Sequence, residues 1–557
     1  MTTDTWHSYH LFLHSGTEDT DAFLTQDAAP LLDGLVAAGD AADWFFIRYG
    51  EDGPHLRIRV RGLTAGAAAE LPAALVRAAK ARPAVAGPWP SYHGEIRTVP
   101  YVPETRRYGG PRALPAAERM FTVATRVALA ALRALPAAPG GSARLTTAAD
   151  LAHATAHGLG MDRLAAARWL RRHAAGWRWV TEVPLLPGAA VHARVNTVHA
   201  AQRTALAARA RALRTGLAAG TADPWLTEWA RQVGDADARL RAELGPDAAA
   251  LPWVWASQLH MLLNRLGVGP DEERAVCRLA SRTLLDPGEP PTFFPDGHRA
   301  ADLQYLERSK FQIGRGQDSA LRPLEPDAGP ATTADPAETA LPAGPPPEVP
   351  LHTVLARRAS LRGALTGPLD ATRLGTLLWT ALAESGRSAQ RLADGSSRTL
   401  VHRPYPSAGA LYTARVRLIA LDVAGLPPAT YDCVPERRTL RRIGPAPSVT
   451  EIQPLSTYFT RPADDPDRIG VERAPVVLGL YVNLGLLRTR YGLRALRLAL
   501  LETGHLAQTL LLTATALGLA GTPLGGFHDD LAHELLGLDD LDQPLQYLLP
   551  LGRRAPE

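Results

Sequence analysis

Residues 43–60 read DWFFIRYGEDGPHLRIRV, and how this stretch alternates decides the fold of the chain's first part. Two runs, 43–50 and 55–60, have the aromatic and β-branched content of strands. The DGP at 52–54 supplies a tight turn between them. Side chains alternate faces along a strand, so Leu56, Ile58 and Val60 point one way and His55, Arg57 and Arg59 the other. Two guanidinium groups beside an imidazole make a concentrated positive face. From these residues alone two readings stand: a solvated sheet face, or a site for an anion, arginine being suited to bidentate carboxylate binding.

Working outward, WHSYHLFL (6–13) and EIRTVPYV (95–102) read as further strands. Helical patterns follow at 115–135, 146–156, 161–174, 195–218, 225–243, 253–266 and 271–285. Strands followed by runs of helices predict an α+β domain. Residues 315–350 are rich in Pro, Ala, Gly and acids without an apolar period, so they read as a linker that cannot bury enough surface to fold. The expected division is therefore 1–314, linker 315–350, and 351–557. The second part is also expected to be α+β, with helices near 351–359, 370–384 and 492–519 and strands near 412–421, 475–482 and 545–551. The run PVVLGLYV is apolar throughout, as in a sheet buried on both faces.

With 557 residues there is material for two to four domains at roughly 100–200 residues each. Sixty basic residues face 56 acidic ones, a formal net charge of +4, so the surface is mixed and no nucleic-acid coat is expected. The two cysteines, Cys277 and Cys433, lie far apart and form no metal-ligand pattern, so no metal is expected. MTTDTWHSYH lacks the basic start and apolar run of a secretory signal. The apolar segment 495–527 contains Glu502, His505 and Gln508, which argues for a buried helix and against a membrane span. A cytoplasmic enzyme is the expectation.

Two further motifs carry chemistry in the first part. ETRRYGG (104–110) follows a predicted strand, with Gly109-Gly110-Pro111 bending the chain, so Arg107 and Tyr108 are expected at a strand end. In LHMLLNRLG (259–267), His260 and Asn264 share a helix face. Together with WHSYHLFL and WFFIRY-x4-HLRIRV, these motifs resemble the C-terminal elimination domain of class I lantibiotic dehydratases, over roughly residues 6–310. The resemblance implies that glutamate is expelled from a glutamylated serine or threonine of a precursor peptide, leaving a dehydroamino acid. It also implies that Arg57, Arg59 and Arg107 bind the glutamyl group and that His260 transfers the proton or orients the group that does. Glu104 is expected to orient an arginine. The large glutamylation domain has no counterpart in this sequence, so a split, thiopeptide-type dehydratase is implied. Thiopeptide pyridine synthases share the fold, and pyridine formation and a non-catalytic peptide-binding scaffold stay open as alternatives.

In the second part, RRASLRG (357–363) places Arg358, Ser360 and Arg362 in one turn that suits a phosphate. Basic helix C-termini are also favourable for dipole reasons alone. YPSAGALY (405–412) is a small-residue turn that lets backbone approach a flat ligand. His505 and Gln508 share a helix face and read, on their own, as core hydrogen bonding. Together with LGGF (524–527) and the closing LPLGRR, these stretches resemble the SagB-type, FMN-dependent dehydrogenases of the nitroreductase superfamily, over roughly 351–554. The resemblance implies a phosphate site of Arg358, Ser360, Arg362 and Arg553, and a ring site of Pro406, Ser407, Gly409, Gln508, Gly525 and Gly526. Ala359 stands where a second arginine is common.

Such enzymes oxidise thiazolines and oxazolines to azoles. Arg490 and Tyr491 occupy the place of a common Lys-Tyr catalytic pair. Arginine is a poor base, so either Tyr491 takes the proton or Arg490 positions substrate. The domain order resembles bifunctional fusions of lactazole-type thiopeptide pathways. The nitroreductase resemblance implies a homodimer built on 351–557, and the fusion implies a ribosomal precursor peptide, a separate tRNA-dependent glutamylating enzyme and a cyclodehydratase partner.

Overall fold

The computed structural model describes residues 5–136, 142–180, 183–286, 301–310, 338–367, 369–391 and 395–554. The chain divides into two compact units, one of Met1–Trp177 with Ala193–Asp286, the other of Arg178–His192 with Pro287–Glu557. Both mix helix and sheet, in line with the α+β reading.

In the first unit β1 (Trp6–Phe12), β2 (Asp43–Tyr49), β3 (His55–Arg61) and β4 (Ile96–Thr98) form an antiparallel sheet in the order β2-β3-β1-β4. Between β2 and β3 the turn closes through left-handed Asp52 (φ 59°) and Gly53 (φ 122°). Leu56, Ile58 and Val60 are buried against Leu71 and Leu75 of the helix Ala65–Lys80 and against Leu24 and Leu32. Each such side chain contributes about 1.5–3 kcal/mol when fully buried. This helix and the helical stretch spanning 17–38 were not expected. In Ala65–Lys80 the alanine-rich sequence and the internal Pro72 blunt the apolar period.

β4 is much shorter than the expected 95–102. Pro100 and Pro103 have no N–H for the ladder, so the chain leaves the sheet and Arg107 sits in a turn, not at a strand end.

The other sheet face carries His55, Arg57, Arg59 and Arg61, in register with Phe12, His10, Ser8 and Trp6 of β1. It is covered. Phe45 of β2 is fully buried with Phe121 of α1 (Leu114–Ala134), Tyr108, Val254 and Met261. The remaining helices of interest are α2 (Arg163–Gly176), α3 (Leu251–Leu266) and α4 (Pro270–Leu285), which share a second core with α1. β2 is an edge strand, so its outward backbone groups need partners. Asn264 of α3 supplies them, accepting from Arg48 N and donating to Arg48 O, both at 2.9 Å. That clamp fixes α3 beside the basic face.

The second unit has a nine-stranded sheet. Its path runs β10-β6-β12-β11-β7-β8-β9-β5, where β5 is Glu338–Ala340, β6 Gly363–Thr366, β7 Ala414–Ala420, β8 Ala429–Val434, β9 Thr439–Pro445, β10 Ile469–Gly470, β11 Val476–Val482 and β12 Leu545–Arg554; Ala520–Gly521 pairs with β12. Val476, Leu478 and Leu480 of β11 join one core, with Leu506 and Leu510 of the long helix. Val477 and Tyr481 join another, with Leu531 and Leu535. The all-apolar run thus lies in a sheet buried on both faces. Helices α5 (Leu351–Arg357) and α6 (Ala495–Ala516) complete the frame used below.

Residues 315–337 of the proline-rich stretch lie outside the described residues. Glu338–Ala340 is an edge strand on β9, where Thr439 donates to Glu338 across 2.5 Å and Arg437 pairs with the same carboxylate. Residues 178–192 fold with the second unit. There Arg178 pairs with Glu451 and His192 with Glu534, both at 2.7 Å, and Trp179 occupies the space over Gly444 and Gly537. Both cysteines are free and buried. Among the described residues no helix is long and apolar enough to cross a membrane.

Candidate active sites

The first site is built on the covered face of β3. The Arg59 guanidinium lies 4.7 Å from the Tyr101 ring centroid and 5.4 Å from that of Phe45. Among the described residues no carboxylate pairs with it, and its Nε is buried without a hydrogen-bond partner. Burial works against its charge and lowers its pKa, partly offset by Tyr101. Arg57 stacks 3.4 Å from the Tyr49 centroid, donates through Nε to His55 Nε2 at 3.3 Å and pairs with exposed Glu51 at 3.2 Å. His10, opposite Arg57 on β1, is pushed down to a pKa of about 4 by burial and then by Arg57 and its other cationic neighbours.

Arg107 is held in its turn by left-handed Gly109 (φ +85°). A Cβ at Gly109 would meet that of Ala113 at 3.0 Å. Arg107 pairs with Glu104 at 3.1 Å, and its Nε donates to Ser257 Oγ of α3 at 3.4 Å. Ser257 stands one helical turn before His260, so the turn and the histidine face the same stretch of α3.

His260 Nδ1 donates to Glu273 Oε2 at 2.8 Å, and its ring meets Trp177 edge-on at 4.8 Å. Glu273, on α4, is fully buried. Its other oxygen accepts from His173 Nε2 (2.5 Å) and Trp177 Nε1 (3.1 Å). Burial pushes this carboxyl up, but His260 and His173 outweigh it and hold the group well below the ordinary carboxylate range. With Nδ1 donating, Nε2 is the nitrogen left to exchange a proton with substrate.

Arg57 and Arg59 therefore share one face, and Arg107 reaches the helix that carries His260. Glu273, His173 and Trp177 escaped the sequence reading. Glu273 is the third of three acids opening α4, a pattern that a helix N-terminus favours for dipole reasons alone.

The second site surrounds the 406–409 turn. Ser407 Oγ donates to Glu502 Oε2 of α6 at 2.8 Å and accepts from Tyr412 N at 2.8 Å. Glu502 also accepts from Ala414 N at 2.8 Å. Gly409, Ala410 and Tyr412 all take positive φ, so the turn is held in a conformation costly for its non-glycine residues. A Cβ at Gly409 would stand 2.5 Å from Tyr491 Oη and 2.9 Å from Arg490 Nη1, which brings the predicted pair against the predicted turn.

Elsewhere Ser360 bridges to Gly521, and Arg362 lies 5.3 Å from the Tyr458 centroid and 3.6 Å from Asp467. Tyr458 is also the neighbour a Cβ at Gly526 would meet, at 3.9 Å. Arg553 on β12 is opposite Thr366 of β6. Gln508 and His505 are exposed on α6, not hydrogen-bonded in a core; the helix turns its apolar residues inward and leaves this stripe free. In the sequence Glu502 offers only an argument against a membrane span.

This donor set fits a flavin mononucleotide. Among the described residues Arg358 and Arg553 have no ion pair and Arg362 has only the long one to Asp467. A Cβ at Gly525 would meet nothing within 4 Å, leaving room for a flat ring. No cluster of three or more potential metal ligands occurs among the described residues.

Comparison with known proteins finds two families along the chain. The family described as lantibiotic biosynthesis dehydratase C-term matches residues 6–284, and the nitroreductase family matches 355–553. A Methanocaldococcus jannaschii protein named as a nitroreductase, MJ1384, is 29% identical over 209 residues, 37% of this chain and 92% of its own length. The microcin B17-processing protein McbC of Escherichia coli is 30% identical over 145 residues, 25% of this chain and half of McbC. Among solved structures, the pyridine synthase TbtD from thiomuracin biosynthesis is 23% identical, with a TM-score of 0.42 over 51% of this chain and 98% of that one. A structural likeness of that degree assigns no activity.

Proposed function

The chain belongs to the lantibiotic dehydratase C-terminal family and carries a nitroreductase-family domain after it, and we propose that it is a bifunctional enzyme of ribosomal-peptide modification. Its first domain eliminates glutamate from glutamylated serine or threonine, and its second oxidises azolines to azoles.

The observation that carries the first half is Arg59. It is a half-buried cation alongside two aromatic rings, with no carboxylate partner among the described residues and a buried Nε that has no hydrogen-bond partner. His260 Nε2 takes the α-proton. The C–H electron pair moves onto the adjacent carbonyl oxygen and returns to form the Cα=Cβ bond as the Cβ–O bond breaks. Glutamate leaves as a carboxylate into the charges of Arg57, Arg59 and Arg107, which stabilise the anion as it develops.

In the second domain Arg358, Ser360, Arg362 and Arg553 hold the FMN phosphate, and 406–409, Gln508, Gly525 and Gly526 line its ring. When bound, FMN supplies the two-electron acceptor for azoline oxidation. Tyr491 takes the ring proton, and Arg490, which stays protonated, positions the peptide. Leu351 and Leu355 of α5 and Leu500 and Leu501 of α6 are 50–65% exposed. They support a homodimer built on this domain. The partners are a precursor peptide, a separate tRNA-dependent glutamylating enzyme and a cyclodehydratase, and the setting is the cytoplasm.

Purified protein is expected to take up FMN with flavin absorption and to remove two hydrogens per azoline from a test peptide. Protein that stays colourless with excess FMN contradicts the second half. A glutamylated peptide left unchanged, or closed into a pyridine macrocycle with leader release, contradicts the first.

A further inference from the structure

Three hydrogen-bond donors in the first unit converge on one pair of rings and have no acceptor among the described residues. Arg59 Nε and Arg265 Nη2 are two of them. The third is the hydroxyl of Tyr108, a residue only 3% exposed. Arg265, on α3, is completely buried; its Nη1 donates to Met261 O at 2.8 Å and its Nε to Thr125 Oγ1 at 3.2 Å, and among the described residues no carboxylate pairs with it. Arg59 and Arg265 lie 5.4 and 5.7 Å from the Phe45 centroid. Phe45 stands 5.2 Å from Phe121, and the Tyr108 ring meets Phe121 edge-on at 4.8 Å.

Unpaired buried donors are costly, and Arg59 Nε and Arg265 Nη2 are two such donors; with the unbonded hydroxyl of Tyr108, which is not fully shut off from solvent, they call for an acceptor that arrives with the substrate. Packing alone does not need the Tyr108 hydroxyl, since phenylalanine fills the same space. Arg107 and Glu104 of its own turn, Arg265 of α3 and Arg59 of β3 are the charged groups around it. Burial raises its pKa to about 12. A neutral phenol donates a hydrogen bond; it does not serve as base.

We propose that Tyr108 is a further catalytic residue of the elimination site, donating a hydrogen bond to the carbonyl oxygen of the modified residue as that oxygen becomes an enolate. The inference rests on the elimination reading above. The α-proton goes to the base, its electron pair passes through the enolate oxygen into the new double bond, and Tyr108 keeps its own proton throughout. Arg265 contributes a fixed positive charge beneath the same spot.

The test compares wild type with Tyr108→Phe on a glutamylated peptide, following glutamate release. The expected result is a kcat lower by about 100-fold, as for loss of one oxyanion donor, with KM within a few fold. Wild type that releases glutamate while Tyr108→Phe keeps pace, or changes only in KM, overturns this inference and leaves the elimination reading standing. Wild type that releases none sinks the elimination reading itself. Should the phenylalanine variant misfold, a fluorinated tyrosine at 108 keeps the hydroxyl and the packing while making the phenol more acidic. The alkaline limb of kcat then moves to lower pH, and an unmoved limb overturns the assignment.

Discussion

Nδ1 of His260 donates to Glu273 across 2.8 Å, and that carboxylate has no solvent exposure. The pair sets the tautomer and the ring plane of the histidine before substrate arrives, and Trp177 and His173 satisfy the remaining oxygen. Preorganisation of this kind makes the imidazole a defined proton acceptor.

Glu273→Ala removes one partner of a buried pair and is expected to cost about 3–5 kcal/mol of unfolding free energy. Glu273→Gln keeps the shape, costs less, and slows elimination with KM nearly unchanged. Denaturant unfolding and steady-state kinetics together check this. A Gln variant with wild-type kcat contradicts a positioning role.

Acid sensitivity follows from His10. Its folded pKa is about 4, against roughly 6.5 for a free histidine. Between those values the unfolded chain binds the extra proton, so this contribution to stability is complete above about pH 6.5 and drains as pH falls toward 4. An NMR titration should find the His10 midpoint near the lower value. Arg57→Ala, which removes the foremost repelling charge, should raise it. A wild-type midpoint near 6.5 contradicts the packing of this face.

Arg59→Ala is expected to slow elimination by about 100- to 1,000-fold while azole formation continues, so glutamylated peptide accumulates. Mass spectrometry of the reaction products reports both. Equal loss of the two activities contradicts separate sites.

Glu502 holds the 406–409 turn through Ser407, with Ala414 N on its other oxygen. Glu502→Ala leaves these donors unpaired, at about 1–3 kcal/mol for a buried donor. FMN affinity is expected to fall about tenfold or more, measured by flavin fluorescence titration. Unchanged affinity contradicts the assignment of this turn to the cofactor.

Much of the frame was legible. The period-2 runs at 6–13, 43–50 and 55–60 became β1, β2 and β3, and the helical pattern at 253–266 became α3; β3 has one strictly apolar face, Leu56, Ile58 and Val60, and the others are rich in aromatic and aliphatic residues. Ala65–Lys80 was illegible because alanine lies near the middle of the hydropathy range and blurs the stripe. The strand Ala429–Val434 buries Asp432, which pairs at 2.7 Å with the half-exposed Arg441 of Thr439–Pro445, and these charges break the apolar alternation. The arginines stood out because their spacing on one strand is local. Glu273 and Glu502 did not, since their partners come from other elements and only the fold brings those together.

The central claim is tested most directly by incubating the protein with a glutamylated precursor peptide and weighing the product. The account predicts loss of glutamic acid, leaving each modified serine one water lighter than the unmodified residue. Peptide that keeps its glutamyl groups, or that emerges as a macrocycle with its leader released, contradicts it.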